Sequence, residues 1–141
     1  MPSVASSMAA DTPTSSRNPP QQVVVTQYVE IVPGFQMTFQ EADQCLHEYR
    51  INFTPSFPFV PIPITMSAYE LHEAADFLLR TILIVVAPQT LAVQRSVQKW
   101  FRQYLAQHLV VEQERRLELL QAILIFVAWY SRLLESIQRH F

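Results

Sequence analysis

Four histidines, one cysteine and twelve acidic residues are the side chains of this 141-residue chain that could carry a proton or hold a metal ion. Either task needs two or three of them within a few ångströms of one another. Helical spacing offers that in one place: His72 and Asp76 stand four apart, beside Glu73. The same three residues serve equally as an ordinary solvated helix face, and that is the reading adopted. His47, His72, His108 and His140 fall in different predicted elements, and Cys45 and His47 leave opposite faces of one helix. Cys45 lies among apolar positions, which marks a small core residue rather than an activated nucleophile. Gly34 is the sole glycine, so there is no glycine-rich phosphate loop. No catalytic, metal, DNA-binding or cofactor-binding residue is assigned. No cofactor and no enzymatic activity are expected.

Arg95, Lys99 and Arg102 recur at helical spacing beside Trp100 and Tyr104. Three cations neutralise about three phosphates, too few for more than weak, salt-sensitive binding to nucleic acid. The stripe therefore reads as a solvated face, and direct, specific DNA binding is not expected.

Half of the residues are apolar and 16% are charged, enough for one modest domain plus a tail, with a net charge of −2. The charge is uneven: residues 1–90 carry a net of −5 and residues 91–141 a net of +3. The single cysteine rules out an intramolecular disulfide and any multi-cysteine zinc module within the sequence. The N-terminus lacks the basic flank and apolar core of a signal peptide, and no segment is expected to reach transmembrane length. An intracellular protein without membrane contact follows as the expectation.

The elements come next. Residues 1–22, rich in Ser, Thr, Pro, Ala and Gln, are expected to form a disordered leader, and residues 23–37 an extended arm, in which the β-branched stretch from Val23 to Val32 is ended by Pro33 and Gly34. A lone strand would have no partner, so the arm is expected to lie along the helices as coil. Thr38 and Glu41 make a capping box for a helix over residues 38–50, with Ala42, Cys45, Leu46 and Tyr49 on one face. Pro55, Pro58, Pro61 and Pro63 then forbid a helix, and Phe53, Phe57, Phe59, Val60 and Ile62 predict a Pro-rich extended strap laid over the helices. Ser67 and Glu70 repeat the capping box for a helix to residue 87, with Leu71, Ala75, Leu78, Ile82 and Val86 as a stripe along one side, stopped by Pro88. A helix over residues 90–109 turns Val93, Val97, Trp100, Phe101, Tyr104 and Leu105 inward.

The last helix, over residues 112–130 and extendable to the end, organises the rest. Glu114, Glu118 and Gln121 form a polar stripe that Ile125 and Ala128 continue as apolar positions. Glu112 and Arg116 are expected to pair at i,i+4. The fold class expected is all-α, an incomplete helical bundle.

The segments EADQCLHEYR, FPFVPIPI, FLLRTILIVVA and VVEQERRLELLQAILIFVAW, in that order, resemble the N-terminal part of the regulatory domain of fungal Zn2Cys6 transcription factors. The family usually has a glycine where this chain has Gln113 and a serine where it has Arg116, positions read as surface-like. The cysteine cluster that normally precedes that domain, and the helices that follow it, are not in the sequence. The resemblance implies transcription regulation in the nucleus through protein contacts, by a partial regulatory domain over residues 38–141 of a fragment or truncated relative. The alternative is a free-standing helical module that associates with such a regulator.

Residues 82–87 and 123–130 are apolar around their whole circumference, so both helix ends are expected to need a protein partner or to self-associate. Ile125 would lie on the uncovered side, making Ile125→Glu a solubilising change if that face has no partner within the chain.

Overall fold

The computed structural model describes residues 27–139. The predicted leader lies outside them. The described chain is mainly helical, but not all-α: strands β1 (Tyr28–Val32) and β2 (Phe35–Thr38) pair antiparallel, with Tyr28 opposite Thr38 and Val29 opposite Met37. The arm finds its partner seven residues on, because Pro33 and Gly34 reverse the chain where the sequence suggested only an end. Gly34 has φ +89, in the left-handed region that a glycine enters without a Cβ clash. Val29, Ile31, Val32, Phe35 and Met37 are buried, so the hairpin packs one side into the core.

Three helix starts follow their capping residues. Helix α1 (Phe39–Glu48) begins at Thr38, whose hydroxyl accepts from the Glu41 amide at 3.1 Å while the Glu41 carboxylate accepts from the Thr38 amide at 3.2 Å. It buries Ala42 and Leu46 and runs on as a π-helical turn, Tyr49–Phe53. Helix α2 (Ala68–Val86) is capped by Ser67 and ends at Ala87, before Pro88. Its axis breaks at Ala75, where φ −155 and ψ 74 leave the helical region. Leu71 before the break and Leu78 and Ile82 after it are buried on the predicted side, and Phe77, outside that stripe, is buried as well. Helix α3 (Leu91–Leu105) is capped by Thr90 and also continues as a π-helical turn, Ala106–Val111. Helix α4 (Leu117–Gln138) starts five residues later than the sequence suggested.

Residues 54–67 fold as a succession of turns rather than one extended run, with the Ser56 and Phe57 amides bonding back to the Phe53 carbonyl and Met66 to Pro63. Val60 and Ile62 are buried, whereas Phe59 and Ile64 face outward. Two side chains of the π-helical turn after α1 hold the segment's carbonyls: Tyr49 donates its phenol to Val60, and Arg50 donates to Ile62, Pro63 and Met66. Arg50, on the turn after α1, is part-buried along this line rather than a surface charge.

Two apolar clusters share the work. The larger gathers the hairpin, α1, α2, Val60, Ile62, Val97 and Ile125. The smaller is aromatic: Phe77, Phe101 and Phe126 with Leu119 and Ala122, Phe101 stacking on Phe126 at 4.0 Å between ring centres and Phe77 on Tyr104 at 4.0 Å. Residues 82–84 are fully covered in this core, contrary to the expectation that this helix end lacks neighbours; α2 packs chiefly against α4 and α1.

Candidate interaction surface

Helix α4 is apolar on two sides for two different reasons. Leu119, Ala122, Ile125 and Phe126 are buried against α2 and the aromatic cluster. Leu117, Leu120, Leu124, Val127 and Leu134 are exposed, Leu117 by 68% and Val127 by 55%. The apolar continuation of the polar stripe, expected to lie uncovered, is therefore the packed side. The stripe of Glu118 and Gln121, taken as solvent-facing, leads into Ile125, which is 0% exposed, and the Glu118 side chain is 11% exposed. The misreading has a physical source: Arg116 reaches back to Glu118 at 2.5 Å, so the carboxylate is neutralised where it enters the packed side and its polarity no longer marks the water side.

The exposed residues and Ser131 stand at 117, 120, 124, 127, 131 and 134, intervals of three and four in alternation. That is the 3.5-residue period of a seam that packs against another helix. The stripe and its g-side border (Ile123, Tyr130, Ile137) hold no charged residue. At its N-terminal end, Leu109 from the turn after α3 joins Leu117, Leu119, Leu120 and Ile123 to line an open groove of about 490 Å³, with Arg115 on the rim.

Contrary to expectation, a segment of transmembrane length exists: α4 has 22 residues and is long and apolar enough to cross a bilayer by length and composition. Its continuation through residues 131–138 adds the length that the apolar core alone lacks. One side of it is packed on α2, and Arg132 and Glu135 lie in its last third.

The turn before α4 holds the charged groups. Glu112 does not pair with Arg116; it meets His108 Nδ1 at 3.1 Å and the Gln107 amide at 3.1 Å, while Arg116 meets Glu114 at 3.1 Å and donates to the Tyr104 hydroxyl at 3.2 Å. The Gln107 hydrogen bond, then contacts with Glu114 and His108, hold the Glu112 carboxyl below its usual range. His108, Glu112 and Glu114 each bring one ligand atom to within 4.8 Å of the others, a set the sequence reading did not bring together. Its signal was a histidine four residues before a glutamate with another two beyond, hidden because the helix start was placed at residue 112. Gln107 and Arg116 already engage both carboxylates.

The two departures from the resembling family fall at both ends of this turn. Gln113 has φ +55, a left-handed conformation that costs a side chain and suits a glycine. Arg116 is the N-cap of α4 and makes no side-chain cap bond, where a serine would. Both are exposed, as a surface reading holds, but each occupies a conformationally special position.

His72 and Asp76 do meet, at 2.5 Å, and Asp76 also takes Arg80 at 2.7 Å; Arg80 in turn donates to the Glu30 carbonyl, fastening α2 to the hairpin. His72 sits against the rings of Phe39 and Tyr69. Cys45 is half-buried, its thiol raised by burial and then by Glu48 and Glu41, which disfavours the nucleophilic thiolate. Arg95, Lys99 and Arg102 are exposed on α3, away from Phe101.

Over 118 residues the sequence is 24% identical to "Transcription factor himD" of Aspergillus japonicus, an alignment covering 84% of this chain. This chain is similar to a fungal transcription factor. It spans 18% of that protein's length. No family model matches the chain, and no solved structure matches it.

Proposed function

We propose that this chain regulates transcription in the nucleus as part of a helical regulatory domain of the fungal Zn2Cys6 kind, residues 38–141 being a partial form of it. It acts through protein contacts made by the outer face of α4, with DNA read by a module other than these residues, and it performs no catalysis. The observation that carries the reading is the uncovered, uncharged 3.5-period seam on a helix whose other side is already packed. The similarity to a fungal transcription factor over most of the chain supports the transcriptional setting. In this reading the Pro-rich segment that Tyr49 and Arg50 hold is a spacer between α1 and α2.

The test is a tethering assay in a fungal host. The full chain, fused to a heterologous DNA-binding domain, is expected to change expression of a reporter several-fold, and Leu120→Glu with Val127→Glu is expected to abolish the change at equal protein level. A fusion that accumulates in the nucleus and leaves the reporter unmoved would overturn the proposal.

A further inference from the structure

The outer face of α4 is incomplete in a way that a second copy of the same chain completes. We infer that two copies pair antiparallel through this face, about a two-fold axis passing between Leu124 and Val127. This rests on the proposal that the outer face makes protein contacts, and names the partner.

Three features converge on that occupant. The first is the seam: five of its six positions are Leu or Val, and a row of knobs at 3.5-residue spacing fits the holes of another row with the same spacing, which the same helix supplies. The second is the shape of its ends. The N-terminal end has an open apolar groove between Leu109 and Leu117, Leu120 and Ile123, whereas the C-terminal end presents Leu134 and Ile137 as exposed knobs. In antiparallel pairing Leu124 lies level with Val127 of the second copy and Leu117 level with its Leu134, so the knobs of each copy arrive at the groove of the other. A two-fold pair makes this exchange twice and closes, with no open end for a third copy.

The third feature is charge. The seam has none to repel its duplicate. Antiparallel pairing brings Arg115, exposed on the groove rim and in no ion pair among the described residues, to the end of the second copy where Glu135 stands between Arg132 and Arg139, so it meets charges of both signs. Parallel pairing would instead set Arg115 beside Arg115 and leave both grooves empty. The seam from residue 117 to 134 is about 26 Å long at 1.5 Å per residue and one helix wide. That is smaller than the roughly 800 Å² per partner of a standard interface, so the pair is expected to be of micromolar strength.

The experiment is sedimentation velocity on the full chain across about 1 to 200 µM, a range set by that strength. The expected result is a reversible shift toward about 33 kDa, twice the 16.3 kDa chain. Leu124→Glu, at the centre and exposed, is expected to abolish the shift with unchanged helical circular dichroism. Orientation is read in a Cys45→Ser background: Leu117→Cys mixed with Leu134→Cys is expected to cross-link, and either alone is not. A chain that stays monomeric at 200 µM, one that pairs with Leu117→Cys cross-linking to itself, or one that floats with phosphatidylcholine and phosphatidylserine vesicles without pairing would each overturn the inference. A monomer that still moves the tethered reporter would sink the pairing alone, and a dimer that leaves the reporter unmoved would sink the proposed function alone.

Discussion

The phenol of Tyr49 donates a 2.7 Å hydrogen bond to the carbonyl of Val60, and both residues are fully buried. This bond ties the turn that ends α1 to the middle of the Pro-rich segment. The segment's carbonyls have few amide partners because proline supplies none, so one buried hydroxyl carries an unusual share of its anchoring. Tyr49→Phe keeps the ring, which stacks on Phe53 at 5.1 Å, and removes the donor. The buried Val60 carbonyl is left unsatisfied, at a cost of about 1–3 kcal/mol. Urea unfolding of Tyr49→Phe is expected to show a lower midpoint with an unchanged slope.

Burial pushes the Tyr49 hydroxyl up to about 12. Its folded value lies above the unfolded one near 10, so the unfolded state loses the proton first. The stabilisation is complete below about pH 10 and is lost as pH rises from there through about 12. At about 1.4 kcal/mol per unit, the loss is on the order of 2–3 kcal/mol. Thermal unfolding followed from pH 9 to pH 12 is expected to show this decline in the parent chain and a shallower one in Tyr49→Phe, which has no phenol to ionise there.

The turn before α4 stores a conformational cost at Gln113 that a glycine would relieve. Gln113→Gly is expected to stabilise the chain by about 0.5–1 kcal/mol, since the left-handed φ of +55 is retained without a Cβ. Arg116→Ser adds a cap worth about 1 kcal/mol. It also strands the Glu118 carboxylate, whose second oxygen already has no partner, at a cost of about 1–3 kcal/mol. The expected outcome in differential scanning calorimetry is a raised Tm for Gln113→Gly and a lowered one for Arg116→Ser.

The capping residues Thr38 and Ser67 and the stop at Pro88 made two helices legible from sequence, because a cap is a local arrangement of a few neighbouring residues, and the apolar period from Val93 to Leu105 made α3 so. The hairpin was less legible: its second strand, FQMT, is four residues long and runs straight into the cap of α1. The π-helical turns at Tyr49–Phe53 and Ala106–Val111 continue a helix without a change of sequence pattern, so they leave no signal of their own. The faces of α4 were least legible. A helix with Leu, Ile or Val on every side gives no amphipathic contrast, and which side packs is decided by α2 and the aromatic cluster, far away in sequence. The acidic turn escaped notice for a related reason, since a helix drawn from residue 112 turns Glu112 and Glu114 to different sides.

The central claim is that α4 uses one side to build the fold and keeps the other free for a partner. Chain neighbours Leu124 and Ile125 separate the two most directly, being 39% and 0% exposed. The decisive measurement is the unfolding free energy of Leu124→Glu and Ile125→Glu, determined by urea denaturation at about 1 µM, where any pairing of micromolar strength is largely dissociated. The account predicts that Ile125→Glu loses about 3 kcal/mol or more by burying an unpaired carboxylate in a packed core, while Leu124→Glu stays within about 0.5 kcal/mol of the parent. A tolerated Ile125→Glu together with a strongly destabilised Leu124→Glu would contradict it.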